Sequence, residues 1–571
     1  MLYFAYLLSA ILWFISYNPV ECPEAGWVFA IPALLANMHL KPKQNTWLVS
    51  FITCYVVWFF VLLWLRFVYP PFGYVTLVGL PAIIALYYMP FFALSKYFLS
   101  ERFANNLPKR IFAIFAFASF WVVLEFARAN LMTGFPWLLL GHSQYTRPVL
   151  IQSAAIGGTY MVSFIVILFN IGMAKYINHL YKFHRNKIRN VKNIGKFCPE
   201  FYIATLALML NILLYTKDLP LKANSEYLFR AGTIQTDFVA FRKWDKEFIL
   251  KDFETIRNLS LATQDARADI LLFPEAATPP SLPLFANDYT QNYLEDLSKE
   301  IAMPILAGST SIVREGEEVF WQNGIFTVSP TTGLGQDFYA KMQLVPFGEY
   351  VPDIFSFLGK LVPVGNMKRG THTTPLDIEI TGKQYKIGTM ICYEDIFEHL
   401  GRQMANNGAD LLFVCTNDSW YGREAGAWQH SAHSALQAVA TRKVLLRSSN
   451  NGLSCVFNEY GAMLPSITLM AKDGTAFDGN NELKTPLDIK DESGNMLNPY
   501  SLSPLKNSPL MNEQSDIYFR GAGYTDVYQF KNFKDKQSIY LKYGYKFPYL
   551  CIALSLAFAV VFYRSRKRLV L

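Results

Sequence analysis

Residues 385–395, which read YKIGTMICYED, combine the pattern of a buried strand with a polar, reactive end. The apolar and β-branched residues 385–391 predict a strand, and Cys392 begins a turn that leads to a helical pattern at 397–407. Side chains that follow a strand in an α/β sheet lie at its carboxyl edge, where binding sites form. We therefore expect the Cys392 thiol to lie at such an edge.

The segment around this stretch has the alternating pattern of an α/β domain. Similar β-branched runs predict further strands at 227–235, 269–273, 305–311, 323–328, 410–415 and 444–448. Further helical patterns lie at 245–264, 291–301 and 428–440. This alternation predicts a layered sheet with helices outside. From about 473 to 534 the pattern fails in a stretch rich in Asn, Asp, Gly, Ser and Pro, which predicts a long loop or insertion.

The composition indicates a membrane protein. Of 571 residues, 52% are hydrophobic and only 17% are charged, whereas ordinary soluble domains carry about a quarter of charged residues. Most of the apolar stretches approach the roughly 20 residues that are needed to cross a bilayer. They predict eight spans, at 3–17, 26–38, 47–69, 75–99, 111–127, 149–173, 201–215 and 547–563. The second of these is short, and nothing in the sequence resembles a cleavable signal peptide.

Basic residues orient the predicted spans. They cluster in the loops between spans two and three, four and five, and six and seven, and after span eight. If the eight spans alternate, these loops share one side of the membrane, which the positive-inside rule makes cytoplasmic. The segment between Thr216 and Lys546 then faces outward, into the periplasm of a Gram-negative cell. Because much of the net charge of +8 lies beside apolar spans, we do not expect nucleic acid as a partner.

Two further motifs supply a carboxylate and an ammonium. Glu275 follows LLFP at the end of a predicted strand, and Lys341 follows Tyr-Ala. A carboxylate in an apolar mouth can act as a general base, and an ammonium near a thiol favours the thiolate and can stabilise an oxyanion. Taken singly, each residue has an ordinary alternative: a dipole-stabilising acid, a surface lysine, or for Cys392 a buried structural thiol. Their joint occurrence favours an acyl-transfer site.

The seven cysteines give no sign of a metal site or a disulfide framework. Their spacing contains no CxxC pair and no His/Cys ligand pattern, so we expect no zinc site. The number is odd, and Cys54 and Cys551 fall inside predicted spans. At least one thiol is therefore expected to be kept free for a reason.

Glu275, Lys341 and Cys392 together resemble the Glu-Lys-Cys triad of the nitrilase superfamily. The surrounding sequence is similar to one branch of that superfamily, the apolipoprotein N-acyltransferases. The matching strings are LFPE at 272–275, VPFGEYVP at 345–352, ICYE at 391–394, NDSWYG at 417–422, WQH at 428–430 and RSSNNG at 447–452. The predicted membrane half matches too, with GFPWLLLG at 134–141 and with residues 152–170. The likeness covers nearly the whole chain.

This resemblance implies a fold and a division into domains. The fold would be an α/β nitrilase-like αββα sandwich together with an integral-membrane bundle of eight transmembrane helices. Residues 1–216 would form the membrane bundle with the first seven helices. Residues 217–546 would form the periplasmic catalytic domain, with the insertion near 473–534. Residues 547–571 would form the eighth helix and a basic cytoplasmic tail.

The resemblance also implies roles for individual residues. Cys392 would be the nucleophile, Glu275 the general base and Lys341 the stabiliser of the oxyanion. The supporting positions would be Glu349, Tyr393 and Glu394. The substrate-binding positions would be Trp244, Trp420 and Asn417. For the two tryptophans, ordinary core packing is an equal alternative.

The implied activity is the transfer of a fatty acyl chain from a membrane phospholipid to the N-terminal amino group of diacylglyceryl-cysteine on apolipoproteins. Phosphatidylethanolamine would be the donor, and the transfer would pass through a thioester at the bacterial inner membrane without a metal or an organic cofactor. It would complete bacterial lipoprotein maturation.

Two other functions compete with this one. The first is a membrane-tethered amidase that shares the triad but uses water. The second is a polytopic transporter or scaffold with an inert outward domain, which predicts charged residues along a pathway within the spans. The few that we find are Glu125 and Arg128, near the end of span five.

Overall fold

The structure is a computed structural model. It describes residues 1–571 except 41–43, 69–71, 101–105, 189–196, 218–223, 239–248, 279–288, 359–366, 474–504, 513–514, 534–536 and 568–571. Its helices are α1 Leu2–Ile15, α2 Pro23–Gly26, α3 Ile31–Met38, α4 Trp47–Val61, α5 Phe72–Phe98, α6 Leu107–Asn130, α7 Ala154–Gly157, α8 Thr159–Ile188, α9 Pro199–Lys217, α10 Ile249–Asp265, α11 Tyr289–Ile301, α12 Glu398–Asn406, α13 Gly426–Thr441, α14 Ile539–Tyr543 and α15 Lys546–Lys567.

The strands all follow the first nine helices in the chain. They are β1 Ser225–Gln235, β2 Ile270–Leu272, β3 Ile305–Glu315, β4 Glu318–Ser329, β5 Gly333–Ala340, β6 Leu376–Ile380, β7 Lys383–Ile391, β8 Leu411–Thr416, β9 Leu445–Ser449, β10 Cys455–Phe457, β11 Ser466–Asp473, β12 Leu505–Asn507 and β13 Phe519–Phe530. The chain divides into two compact units. The first comprises Met1–Leu219, Glu424–Ala432 and Ser538–Leu571, and the second comprises Pro220–Arg423 and His433–Gln537.

The first unit is helical and contains helices suited to a membrane. In the described part of the chain, five helices are long and apolar enough to cross a bilayer, namely Phe72–Phe98, Leu107–Asn130, Thr159–Arg185, Pro199–Lys217 and Lys546–Ser565. They correspond to the predicted spans four to eight. Helices α1 and α4 are apolar but have only 14 and 15 residues. At about 1.5 Å of rise per residue they fall short of a hydrocarbon core of about 30 Å. Length and composition therefore support five of the eight predicted spans, and the prediction of eight is not confirmed.

Three of the predicted spans have different boundaries from those expected. The second, at 26–38, is not one helix, because α2 ends at Gly26 and α3 begins at Ile31, followed by Pro32. The third, at 47–69, ends as an α-helix at Val61 and continues as a 3-10 helix at Leu63–Phe67. The sixth, at 149–173, begins only at Thr159. Gly158 precedes that residue with φ of 69°, a left-handed conformation that separates α7 from α8.

Two buried charges in the first unit hold a loop by its backbone. Glu125 and Arg128 lie near the end of α6 and are 0% and 3% exposed. Glu125 Oε1 accepts a hydrogen bond of 2.7 Å from the backbone N–H of Leu140. Arg128 donates to the backbone oxygens of Trp137 and Leu138 at 2.9 and 3.3 Å. Both charges thus have structural partners, which weakens the interpretation that they belong to a transport pathway.

The second unit is built on two β-sheets. The larger has eight strands in the order β12-β11-β13-β1-β2-β3-β4-β5, and the smaller has five in the order β10-β9-β8-β7-β6. Strand β2 is parallel to β1 and to β3, and β8 is parallel to β7 and to β9, while the remaining pairs are antiparallel. The predicted α/β class is confirmed. The parallel strands β2, β7 and β8 bring the polar residues that follow them to the same edges.

The sheets and helices of the second unit form layers. Ile256 of α10 and Leu294 of α11 share one buried cluster with Leu271 and Ile305 of the larger sheet. Helix α12 covers the smaller sheet, so that a Cβ on Gly388 of β7 would lie 2.6 Å from the Met404 Cβ. Each sheet therefore has helices against it, as expected for the αββα arrangement.

The two sheets are in direct contact beside the strand ends that carry the predicted site. The Sγ atom of Cys415, in β8, lies 3.5 Å from the carbonyl oxygen of Phe273, the residue directly after β2. A Cβ on Gly308 of β3 would lie 2.2 Å from the Pro274 oxygen and 2.5 Å from the Cys415 Sγ. Only glycine permits this approach, and Glu275 is the next residue after Pro274.

The prediction of a loop or insertion at 473–534 is wrong for its last part. Residues 474–504 lie outside the described part of the chain, but Phe519–Phe530 form β13, which pairs with both β1 and β11 inside the larger sheet. Glycines at 521 and 523 lower the β-propensity of this stretch, so its sequence does not indicate a strand. The glycines have a packing reason, because a Cβ on Gly523 would lie 2.3 Å from a methyl group of Leu510.

Candidate active site

Cys392 lies where the sequence predicts, directly after strand β7. It begins the 3-10 helix Cys392–Ile396 and is 6% exposed. Its φ of 50° is a left-handed conformation that a non-glycine residue rarely adopts, and such strain gathers at functional sites. Burial and the charge of Glu275 raise the pKa of the thiol to about 12, although Lys341 and a hydrogen bond with Thr416 lower it. The resting sulfur is therefore a thiol at neutral pH, and its attack on a substrate requires a base.

Lys341 is held by two carboxylates. It follows strand β5 and is 1% exposed, and its Nζ lies 2.7 Å from Glu349 Oε1 and 3.5 Å from Glu275 Oε1. Burial lowers the pKa of the ammonium, but Glu349, Glu275 and Cys392 raise it by more, so the pKa lies above its usual value. The lysine is consequently a permanent cation inside the protein. A buried cation of this kind is suited to stabilise an oxyanion, and it is not the surface lysine of the alternative interpretation.

Glu275 has a partner that the sequence analysis missed. Its Oε1 accepts a hydrogen bond of 2.7 Å from the side-chain amide of Asn323 in β4, and its backbone N–H donates to the Thr416 oxygen at 3.3 Å. The backbone N–H of Lys341 in turn donates to the Asn323 oxygen at 2.8 Å. Asn323 therefore fixes both the candidate base and the candidate oxyanion stabiliser. The sequence of β4 offers no distinct signal for this residue, because the neighbouring Gln322 is polar as well.

Glu394 ties the nucleophile turn to the segment that carries Lys341. One of its oxygens accepts hydrogen bonds from the backbone N–H groups of Met342 and Gln343 at 2.6 and 3.0 Å. The other accepts from the Ile391 N–H at 2.8 Å, and the Tyr339 hydroxyl lies 2.9 Å from both oxygens. Glu394 is 0% exposed, and burial raises its pKa to about 7. Its role in this geometry is to align two loops.

The remaining predicted site residues lie at different places in the second unit. Glu349 joins the cluster through Lys341 and accepts from the Val345 N–H at 2.8 Å, and Tyr393 is buried beside Phe397 with a ring separation of 5.2 Å. Asn417 and Trp420 lie on the turn after β8.

On this turn the Asn417 side chain caps a 3-10 helix. Its Oδ1 accepts from the Ser419 hydroxyl at 2.6 Å and from Asn450 at 2.9 Å, so the structure gives it a loop-fixing contact. Trp420 is half-buried on that helix. Trp244 lies outside the described residues, and its role stays a prediction.

Metal and disulfide chemistry were not expected from the sequence. Within the described part of the chain, no group of three or more His, Cys, Asp or Glu side chains is arranged to hold a metal ion. All seven cysteines lie among the described residues, and no two of them form a disulfide. The site described above contains a thiol, an ammonium and carboxylates, which suffice for nucleophilic acyl transfer.

Family models match both units of the chain. Residues 9–172 match the apolipoprotein N-acyltransferase N-terminal domain, and residues 230–473 match carbon-nitrogen hydrolase. Two relatives carry the name apolipoprotein N-acyltransferase. The one from Geobacter metallireducens is 29% identical over 80% of this chain and 85% of its own length. The one from Haemophilus influenzae is 28% identical over 81% of this chain and 86% of its own length.

Solved structures are similar at a lower level. A carbon-nitrogen hydrolase from Helicobacter pylori shares 17% identity and a TM-score of 0.31, covering 42% of this chain and 84% of its own. An amidase from Nesterenkonia shares 14% identity and a TM-score of 0.33, covering 55% and 96%. With the N-terminal domain and the hydrolase domain matched in this order along one sequence, the chain belongs to the apolipoprotein N-acyltransferase family, a branch of the carbon-nitrogen hydrolases.

Proposed function

We propose that this protein transfers a fatty acyl chain from a membrane phospholipid to the N-terminal amino group of diacylglyceryl-cysteine on apolipoproteins. The observation that carries the proposal is the buried pair of Lys341 and Glu275, whose charges act on the Cys392 thiol, with Glu349 paired to the same lysine. The names of the relatives support lipoproteins as the acceptors and an acyl group as the cargo. Phosphatidylethanolamine is the donor that we propose.

In the first half-reaction, the Cys392 sulfur attacks the ester carbonyl of the phospholipid. Glu275 takes the thiol proton as the carbon–sulfur bond forms, because a thiol of this pKa does not ionise by itself at neutral pH. Lys341 stabilises the negative charge that develops on the carbonyl oxygen. The tetrahedral intermediate then collapses: the carbon–oxygen bond breaks, Glu275 returns the proton to the leaving oxygen, and a lysophospholipid departs from a thioester on Cys392.

In the second half-reaction, the free amine of diacylglyceryl-cysteine attacks the thioester carbonyl. Glu275 again takes the proton, now from the attacking nitrogen, and Lys341 stabilises the same oxyanion. The carbon–sulfur bond breaks, the sulfur recovers a proton from Glu275, and an amide is formed. This sequence is a ping-pong transfer in which the protein ends unchanged.

Both proposed substrates are lipids, and the helices of the first unit fit that property. Five of them are long and apolar enough to cross a bilayer. Removing a lipid from a membrane costs about 0.8 kcal/mol for each methylene group that is exposed, so an enzyme seated in the membrane avoids a large barrier. We place the protein in the bacterial inner membrane, with residues 217–546 as a periplasmic catalytic domain. Water must be kept from the thioester, since hydrolysis would turn the enzyme into a lipase.

The other predicted residues have supporting tasks in this proposal. Glu349 holds Lys341, and Glu394 aligns the turn that carries Cys392 with the segment after Lys341. Tyr393 is expected to shape the wall of the acyl site. Trp420 and Asn417 on their turn, and Trp244, are proposed to contact substrate.

A transfer assay tests the proposal. The purified full chain is mixed with phosphatidylethanolamine of defined acyl composition and with a diacylglyceryl-cysteine peptide, and the peptide mass is followed. We expect a gain of one acyl chain, which is abolished in C392S and retained in C22S, a control at a half-buried thiol outside the site. Release of free fatty acid without acylation of the peptide would contradict the proposal and favour a hydrolase.

A further inference from the structure

Arg447 forms a buried ion cluster that has no role in the mechanism described so far. It lies on strand β9, and its guanidinium is 0% exposed. Nη1 lies 2.9 Å from Asp395 Oδ2, and Nη2 lies 3.0 Å from Asp418 Oδ2. Nε donates to the backbone oxygen of Leu453 at 3.1 Å. All three nitrogen atoms of the guanidinium thus have a partner.

The two carboxylates belong to different turns of the candidate site. Asp395 lies on the 3-10 helix Cys392–Ile396, three residues after the nucleophile. Asp418 lies on the 3-10 helix Asp418–Tyr421, which follows strand β8. A single side chain therefore bridges the turn that holds the thiol and the turn that carries Trp420.

Further hydrogen bonds saturate both carboxylates. The Ser434 hydroxyl donates to Asp395 Oδ2, and the Gln437 amide donates to Asp395 Oδ1 at 3.1 Å. The Thr416 hydroxyl donates to Asp418 Oδ1 at 3.0 Å. Both aspartates are 0% exposed. Burying three charges costs several kcal/mol for each ion, so such a cluster is weak evidence for stability and is retained where it provides specificity.

We propose that Arg447 is a positioning residue for the acyl-transfer reaction: by bridging Asp395 and Asp418, it fixes the Cys392 sulfur relative to Lys341 and Glu275. This inference rests on the proposed function for the identity of the reaction. It depends on the fork geometry of arginine and not on its charge alone. Lysine keeps the charge but has one nitrogen, which cannot span both aspartates and the Leu453 oxygen.

The test compares R447K with the wild type in a single turnover. Acyl-enzyme formation on Cys392 is followed by mass spectrometry after mixing the full-length protein with phosphatidylethanolamine vesicles. We expect the rate constant at saturating lipid to fall by about 100-fold, because a displacement of about 1 Å is enough for such a loss. The half-saturating lipid concentration should stay within about twofold of the wild-type value, because the Arg447 side chain is fully buried and is not proposed to contact the lipid.

The amplitude of the same experiment separates positioning from a merely structural role. A structural role lowers the fraction of folded protein, so the amplitude falls while the rate constant of the active fraction stays at the wild-type value. Positioning lowers the rate constant at full amplitude. S434A offers a milder change, because it removes one hydrogen bond to Asp395, and we expect a smaller loss in the rate constant in the same direction. A wild-type rate constant in both variants would overturn the inference.

A matched control uses another arginine that bridges to an aspartate. Arg230 of β1 contacts Asp526 of β13 at 2.8 Å with 28% of its side chain exposed, and R230K should leave the rate constant unchanged. If the wild type forms no acyl-enzyme, the proposed function fails, and alkylation of Cys392 by iodoacetamide then decides the inference. Slower alkylation in R447K than in R230K supports positioning, and equal rates refute it.

Discussion

The ion pair between Glu349 and Lys341 provides the sharpest test of the electrostatics of the site. The Glu349→Gln substitution keeps the shape of the side chain and removes its negative charge. In the wild type, Glu349 Oε1 lies 2.7 Å from Lys341 Nζ, whereas Glu275 lies at 3.5 Å. Without the charge on Glu349, the ammonium is expected to move toward Glu275. That movement would withdraw the cation from the oxyanion and occupy the base.

The size of the effect follows from the burial of the pair. The Lys341 side chain is 1% exposed and that of Glu349 is 15% exposed, so water cannot replace the lost interaction. A hydrogen bond to a charged group contributes about 1.5–3 kcal/mol. If this is lost from the transition state, acyl-enzyme formation slows by about 10- to 150-fold. The half-saturating phospholipid concentration should change little, because Glu349 touches the lysine and not the proposed lipid.

Single-turnover acylation of Cys392 measures this effect directly. E300Q serves as the control, because Glu300 forms an ion pair with Arg257 in which both side chains are well exposed, at 37% and 48%. Exposed pairs contribute about 0–1 kcal/mol, so E300Q should match the wild type. If E349Q acylates within about twofold of E300Q, the assigned function of Glu349 is incorrect.

Three further substitutions probe the rest of the architecture. Asn323→Leu removes the amide that donates to Glu275 Oε1 at 2.7 Å, so single-turnover acylation should slow by about tenfold, and an unchanged rate would mean that Asn323 does not orient the base. Burial raises the pKa of the Glu459 carboxyl from 4.5 to about 7. The folded state therefore binds the carboxyl proton more tightly than the unfolded state does, and Glu459 lowers the stability of the fold as the pH rises between these two values. Thermal melts should therefore show E459Q to be more stable than the wild type by of order 3 kcal/mol near about pH 8 but not near about pH 5, and equal differences at both would contradict this. Gly308→Ala places a Cβ 2.2 Å from the Pro274 oxygen, so we expect a loss of about 1–3 kcal/mol in a thermal melt and a drop in acylation, and an unchanged melt would contradict this.

The candidate nucleophile and the candidate base were readable from the sequence because each follows a short apolar run. Such runs predict strands, and a residue that follows a strand lies at the carboxyl edge of its own sheet. This places Cys392 after β7 and Glu275 after β2, and the structure brings Glu275 and Lys341 within 3.5 Å of each other. The pattern alone predicted that Cys392 and Glu275 each end a strand, but not that these strands would lie in two different sheets.

The residues that support the site were invisible to the same reasoning. Asn323 and Arg447 lie inside strands beside other polar residues, so the local sequence does not distinguish them. Their partners, Glu275, Asp395 and Asp418, are far along the chain, and only the folded sheets bring them together. Long-range hydrogen bonding of this kind leaves no periodic trace in one sequence.

The shorter helices and the late strand show where local signals mislead. Apolar composition marks 26–38 as a span, but the chain turns between α2 and α3 at the start of that stretch, and α3 has only eight residues. The glycines of β13 lower its β-propensity, while its neighbours in the sheet require them for close packing. In both cases tertiary contacts override the local pattern.

The central claim is that Cys392 carries the acyl chain between donor and acceptor. We would incubate the purified full chain with phosphatidylethanolamine, digest it, and measure the mass of the peptide that contains Cys392. The account predicts an increment of one acyl chain on that peptide, absent in C392A and discharged when diacylglyceryl-cysteine peptide is added. Well-folded protein that forms no adduct on Cys392, or an adduct that the amine acceptor does not discharge, would contradict it.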